Sequence, residues 1–341
     1  MADLADDGED VFFVYRGGRR SAPQHVTHVL IDESVDEIEN GAFEFCRRLV
    51  QVDTHDGIRR VGHGAFWACK SLRRINIKSA VKIGIKAFGC CENLESVEFG
   101  DSLRSIGFCA FESCTSLKTP LKLPSIYDIG HQAFTACTRL TDLELSERLQ
   151  TIGRGAFDGC ERLQRIAIPL KRYLFEEGYI DFDDIHEEYN PFNGCEQLKT
   201  VDLVGGVHKT VSSLHMESWR TEMIAEINRI NQVLPTTPAY GKTDAIRHWM
   251  ESLLDKMDNY KAEHKRYVKE GTTLLELALW KAKLDDKDDN CEEGKTKKAK
   301  VDAESLRKER RVTCGADIVI KNVLPFLKHV DLPALRLVSI F

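Results

Sequence analysis

The stretch AFEFCRRL, residues 42–49, sets a pattern that recurs up to Leu198. Each copy has Ala-Phe, two variable residues, Cys, two more residues and Leu, although a seventh copy (Phe192, Cys195, Leu198) has Pro191 in place of the alanine. Successive phenylalanines are 22 or 23 residues apart in the six full copies, and the seventh follows after 35. A fixed period in the twenties is typical of a solenoid, whose repeats bury their apolar faces only against their neighbours. We expect the core to be formed by Phe43, Cys46, Leu49, Phe66, Cys69, Leu72, Phe88, Cys91, Leu94, Phe111, Cys114, Leu117, Phe134, Cys137, Leu140, Phe157, Cys160 and Leu163.

Each repeat has three parts. An alternating stretch such as Leu140–Leu145 predicts a short strand. A turn and then Ile-Gly follow, as in Ile83-Gly84, and the glycine suits either a positive φ or a close approach of two backbones. The spacing of three then places Phe, Cys and Leu on one side of a short helical turn. The prediction is an α/β leucine-rich-repeat solenoid, with a short strand and a short helical turn per ~23-residue repeat, followed by a C-terminal α-helical region.

These residues resemble the BspA-like class of leucine-rich repeats, which joins Ile-Gly, Ala-Phe, Cys and Leu in the same order. The resemblance covers roughly residues 26–205, and six copies agree in spacing and identity. It implies a curved right-handed solenoid used for protein recognition. Members of the class include secreted adhesins.

The chain divides into regions by pattern and composition. A hairpin made of residues 11–15 and 26–31 is predicted to cap the N-terminal end of the solenoid. Pro120 predicts a bulge or break in the sheet, and Gly271 predicts a break between two C-terminal helices, the first of which begins near Thr243. The predicted regions are a tail and capping strand at 1–25, the solenoid at 26–212 with an insertion at ~170–190, helices at 213–284, a charged linker at 285–312 and C-terminal helices at 313–341.

Composition limits the classes of function. A net charge of −6 gives no reason to expect nucleic-acid binding, and no apolar run is long enough for a membrane span. The acidic N-terminus lacks the features of a secretory signal, which predicts an intracellular protein, cytoplasmic or nuclear. The 11 cysteines are an odd number and favour reduced thiols.

The cysteine column could in principle be a metal or redox ladder. No histidine column accompanies it, so packing as a small hydrophobe is favoured. No catalytic motif occurs either, and the prediction is a protein with no catalytic residues, no cofactor and no metal. The acidic insertion could hold a cation, but it lacks the glycine and the spacing of a calcium loop, which favours a solvated loop.

Outward positions of the strands are the candidate binding residues, because solenoids present extended surfaces to protein partners. One of their two rows is mostly acidic and predicts a partner with a basic surface. The predicted contact residues are Arg74, Asn76, Glu98, Lys122, Asp142, Glu144, Arg165 and Asp202.

Three functions remain open on the sequence. The first is a non-enzymatic protein–protein interaction scaffold that uses the sheet face. The second is a ubiquitin-ligase-type adaptor, because residues 324–339 resemble part of an F-box. The third, a cell-surface adhesin, is disfavoured by the missing signal.

Overall fold

The computed structural model describes residues 9–18, 21–118, 120–175 and 190–289, with side chains of the last helix described up to residue 281. Residues 176–189, most of the predicted insertion at ~170–190, lie outside these residues. So do most of the predicted charged linker and the C-terminal helices, together with the F-box-like segment.

The described chain begins with strands and ends with helices. The strands are β1 (Phe12–Tyr15), β2 (His28–Ile31), β3 (Glu37–Ile38), β4 (Gln51–Asp53), β5 (Arg60–Val61), β6 (Arg74–Ile77), β7 (Lys82–Ile83), β8 (Ser96–Phe99), β9 (Ser105–Ile106), β10 (Leu121–Lys122), β11 (Asp128–Ile129), β12 (Asp142–Glu144), β13 (Thr151–Ile152), β14 (Arg165–Ile168) and β15 (Thr200–Leu203). The helices are α1 (Gly206–Val211), α2 (Glu217–Val233) and α3 (Lys242–Asp289), with short 3₁₀ turns at Leu234–Thr236 and Ala239–Gly241.

All strand pairs are parallel, as a solenoid requires. The longer strands, together with the two-residue β10, form a five-stranded sheet, β1-β2-β4-β6-β8, and a four-stranded sheet, β10-β12-β14-β15. The other six two-residue strands, β3, β5, β7, β9, β11 and β13, form one six-stranded sheet. The predicted break at Pro120 is confirmed, because the longer strands divide between β8 and β10. Proline has no N–H to give to the ladder.

The predicted helical turn takes the form of tight turns with i→i−3 hydrogen bonds. The amide of Cys46, for example, donates to the carbonyl of Phe43 at 3.1 Å. The residue before each repeat cysteine has a positive φ, which turns the chain back towards the next strand. These residues are Phe45, Ala68, Cys90, Ser113, Ala136, Gly159 and Gly194.

The Ile-Gly glycines are required by close approach and not by a positive φ. A Cβ on Gly84 would lie 2.7 Å from the carbonyl carbon of Gly62 in the preceding repeat. Gly107 and Gly130 meet the repeat before them in the same way. Glycine here lets adjacent coils approach closely.

The predicted N-terminal hairpin is wrong, because β1 pairs with β2 in parallel, with Phe12 opposite His28. Residues 16–27 connect the two strands, so β1 adds a further parallel strand to the N-terminal edge of the sheet. The Tyr15 side chain, which extends from this strand, covers the end of the phenylalanine column. Its ring lies 5.0 Å from that of Phe43, and its hydroxyl accepts a hydrogen bond from the amide of Glu39 at 3.2 Å.

Helical residues close the other end of the solenoid. Residues 223–254 belong to the same compact unit as the solenoid coils. The buried Lys242 ammonium donates to the carbonyls of Cys195 (2.9 Å), Glu196 (2.6 Å) and Leu198 (2.8 Å). The hydroxyl of Thr243 accepts from the amide of Phe192 at 3.1 Å. These side chains take the place of the backbone groups of a further coil.

A second compact unit contains the described residues 212–222 and 255–289. Trp219 stacks on Tyr260 with ring centroids 4.9 Å apart, and the Tyr260 hydroxyl donates to Glu222 at 2.6 Å.

The predicted break at Gly271 is wrong, because α3 is continuous from Lys242 to Asp289. A single helical glycine costs only about 1 kcal/mol relative to alanine. Thr273, predicted to open a new helix, donates its hydroxyl to the carbonyl of Lys269 at 2.9 Å instead.

The core is a column of aromatic rings. The rings of Tyr15 and seven phenylalanines follow one another at centroid distances of 5.0 to 5.7 Å, ending at Phe192. The cysteine and leucine of each copy lie beside them, and the six full copies bury all three side chains completely.

Removal of one ring should destabilise the whole solenoid, because each ring is packed between two others. We expect Phe111→Ala to lower the free energy of unfolding by about 3–5 kcal/mol, measured by urea denaturation. Tyr127→Ala removes an exposed ring and should change it by less than about 0.5 kcal/mol. Similar losses for the two variants would show that the ring column is not a main source of stability.

The Lys242 cap can be tested separately. Lys242→Met keeps the aliphatic stem but leaves three carbonyls without their donor, which should cost about 3 kcal/mol or more of unfolding free energy. Lys265→Met, at an exposed position of α3, is the matched control. Equal stability of the two variants would contradict the capping role.

Candidate protein-recognition surface

The outward side chains of the longer strands form the sheet face, which we define by two rows. The register places Gln51, Arg74 and Ser96 side by side, and Asp142 beside Arg165 and Thr200. In the second row Asn76 lies beside Glu98, and Lys122, Glu144, Ala167 and Asp202 follow one another. The parallel register therefore brings the predicted contact residues of neighbouring strands side by side within each of the two sheets.

Most of the carboxylates on the sheet face have a cation beside them. Glu98 pairs with Lys78 at 2.8 Å, and Asp202 with the Arg165 guanidinium at 2.6 Å. Lys122 and Glu144 are farther apart, at 3.7 Å. The acidic row is thus partly neutralised by this chain's own side chains. Such partly exposed pairs contribute only about 0–1 kcal/mol each, so they are easily exchanged for other partners.

Two adjacent cavities lie at the C-terminal end of the sheet face. The first, about 330 Å³, is lined by Arg165, Ala167 and Asp202 and by Ile227 and Asn231 of α2. Its floor is low because the small Ala167 stands in a row of long side chains.

The second cavity, about 390 Å³, is lined by Lys122, Pro124 and Arg148. Glu144 and Val204 line both cavities, so the two adjoin, and together we call them the depression. The sequence could not indicate this depression, because α2 forms one wall of it.

Sequence reasoning also missed an apolar group on the first two strands of the sheet face. Phe12, Val14 and Leu30 are exposed large side chains, and Phe12 stacks on His28 at 4.8 Å. Their alternation with the half-buried Phe13 and the buried Tyr15 was visible in the sequence. The assignment of residues 1–25 to a tail and cap excluded Phe12 and Val14.

The repeat cysteines form hydrogen bonds that link adjacent coils. Six of the seven repeat thiols donate to the carbonyl of the phenylalanine one copy earlier, as Cys69 does to Phe43 at 3.1 Å and Cys137 to Phe111 at 3.3 Å. Cys46, in the first copy, donates to the carbonyl of Pro23 at 3.7 Å. The same Phe43 carbonyl accepts the amide of Cys46. No cluster of three or more His, Cys, Asp or Glu side chains suited to a metal ion occurs among the described residues.

Burial keeps these thiols protonated. Desolvation raises the pKa of Cys46 to about 11 and that of Cys137 and Cys195 to about 12, and it raises the pKa of Cys69, Cys114 and Cys160 well above the usual range. A reactive cysteine requires the thiolate, which this environment disfavours. The repeat cysteines therefore serve packing and hydrogen bonding and are poor nucleophiles.

These shifts predict loss of stability at alkaline pH. Between the ordinary thiol pKa of 9.0 and the folded value of about 12 for Cys137, the unfolded chain loses a proton that the folded chain keeps. The free energy of unfolding then falls as pH rises, by up to about 1.4 kcal/mol per pH unit for one such group.

Cys137→Ala should consequently show a shallower decline than the wild type in urea denaturations between about pH 8 and pH 10. Cys90→Ala controls for the loss of a thiol, since other copies already have alanine at that position. Parallel pH profiles of the wild type and Cys137→Ala would exclude the cysteine from this effect.

The parallel coils, the stacked phenylalanines and the outward strand rows define a leucine-rich-repeat protein. A family model described as BspA type leucine rich repeat region (6 copies) matches residues 22–124, 64–182 and 119–232, which together cover more than half of the chain. The chain belongs to this family. No curated protein matches it.

Several solved structures are similar to this chain. The T. pallidum leucine-rich repeat protein TpLRR is 26% identical, with a TM-score of 0.37 over 51% of this chain and 68% of that one. A leucine-rich repeat protein from Bacteroides ovatus is 22% identical, with a TM-score of 0.33 over 53% and 56%. A leucine rich cell surface protein from Faecalibacterium prausnitzii is 25% identical, with a TM-score of 0.28 over 53% and 60%. The chain thus spans less than two thirds of the last two.

Among the described helices, none combines the length and apolar character needed to cross a membrane.

Proposed function

We propose that this protein is a non-enzymatic scaffold that binds a protein partner on the sheet face. The observation that carries the proposal is the depression around Glu144 and Val204, which lies on the sheet face and extends across neighbouring strands. A surface of this kind lets several repeats contact one partner together. The side chains that differ between copies lie here, while those that recur lie in the core.

The partner we propose presents basic side chains. Glu98, Glu144 and Asp202 point outward in one row, and each has only a partly exposed ion pair to this chain. A lysine or arginine of a partner can replace Lys122 beside Glu144 at small cost, because that pair is the most widely separated of the three. Complementary charge of this kind mainly raises the association rate and the specificity.

We place the protein inside the cell. In support, the repeat cysteines act as S–H donors to phenylalanine carbonyls, a role that only the reduced thiol can fill. Thiols remain reduced in the cytosol and nucleus.

Charge reversal on the sheet face tests the proposal. Proximity labelling in cells, quantified by mass spectrometry, should recover each partner at least about ten-fold less well with Glu144→Lys than with the wild type. The reason is that the reversed charge should cost about 1.4 kcal/mol or more of binding free energy. Binding should also weaken as salt rises.

Glu161→Lys is the matched control, because it reverses an exposed carboxylate outside the strands and outside both cavities. It should keep the wild-type partners, and thermal unfolding should show both variants to be folded. An identical set of partners for the wild type and Glu144→Lys would remove the sheet face from consideration.

A further inference from the structure

Strand β1 is an open edge of the five-stranded sheet. In the part of the chain that the structure describes, β1 pairs only with β2. The carbonyls of Val11 and Tyr15 accept hydrogen bonds from His28 and Asp32, on the β2 side. In a parallel ladder, alternate residues bond to opposite neighbours, so the N–H and C=O groups of Phe12 and Val14 point away from β2. An edge of this kind is a template for another strand.

The opposite end of the solenoid is closed. Asn231 of α2 accepts the amide of Val201 in β15 at 2.7 Å, and Lys242 takes the carbonyls of the last coil. A head-to-tail contact between the two ends of successive copies is therefore blocked. A second copy that pairs through its own β1 gives a closed assembly and not a filament.

The side chains along the edge are self-complementary. Asp10, Phe12, Val14 and Arg16 alternate along one face, so the stripe has an acid at one end, two large apolar groups in the middle and a base at the other. The Asp10 and Arg16 side chains are 64% and 76% exposed. Phe12 is 74%, Val14 43% and the neighbouring Leu30 52% exposed. When two such stripes run antiparallel, the acid of each faces the base of the other, and the apolar side chains face one another.

We propose that β1 is a self-association surface, on which a second copy of this chain pairs its β1 antiparallel across a twofold axis at Phe13. In this register the outward groups of Phe12 bond to those of Val14 in the other copy. Asp10 of each copy then lies opposite Arg16 of the other. Phe12, Val14 and Leu30 of both copies join into one covered apolar area, and the two five-stranded sheets become continuous.

This surface is distinct from the depression around Glu144, so its test does not depend on the proposed partner. Sedimentation velocity of the full chain, up to the high micromolar range, should show a concentration-dependent dimer. Phe12→Glu should abolish the dimer. Phe108→Glu replaces another exposed phenylalanine, away from the edge, and should leave it intact.

A charge swap tests the register. Asp10→Arg and Arg16→Asp should each weaken the dimer about ten-fold, because like charges then face each other. The double variant Asp10→Arg/Arg16→Asp restores both opposite pairs and should return to within about three-fold of the wild type. Each single variant loses one intrachain contact, Asp10 with His28 or Arg16 with Asp32, and the double variant loses both, so these contacts cannot produce the recovery.

Three results would overturn the proposal. The first is a wild type that stays monomeric throughout the concentration range. The second is a dimer that persists in Phe12→Glu, and the third is a double variant that dimerises no better than the single ones, since either would place the contact elsewhere.

Discussion

The distance between adjacent coils is the constraint on which the rest of the structure depends. Parallel strands lie about 4.8 Å apart, so every side chain of the core must repeat at nearly this spacing. Stacked phenylalanine rings meet it, with centroids 5.0–5.7 Å apart. The Ile-Gly glycines meet it by having no side chain to separate the coils, and the cysteines by reaching the carbonyl of the coil before. The same residue types recur at these positions because the spacing between coils requires them.

Each coil of the solenoid is stabilised by its neighbours, so the first and last coils need other groups on the side where no neighbour follows. At the N-terminal end Tyr15 supplies a ring for Phe43 and a hydroxyl for the amide of Glu39. At the other end one ammonium group satisfies three carbonyls, while burial lowers the pKa of Lys242. The two ends thus use single polar side chains where the interior uses a whole coil. Their difference leaves one edge open and the other covered.

The periodic part of the molecule could be predicted from sequence, because each copy repeats the same spacing and neighbouring copies fix the register. Glu98 beside Asn76 and Glu144 beside Lys122 follow from that spacing alone. Features formed between non-equivalent segments could not be predicted: the parallel pairing of β1, the role of Lys242 and the wall that α2 gives to the depression. The continuity of α3 through Gly271 was missed because a local breaker signal was given more weight than the helix on both sides of it.

The break beside Pro120 affects only one side of the solenoid. The strands of the sheet face are divided there into two sheets, whereas the six short strands β3, β5, β7, β9, β11 and β13 continue past it without interruption. The six short strands form one continuous sheet, and the strands of the sheet face form two separate sheets. The strand with Glu98 therefore lies at an edge of one sheet and the strand with Lys122 at an edge of the other, so a partner that contacts both side chains crosses the break.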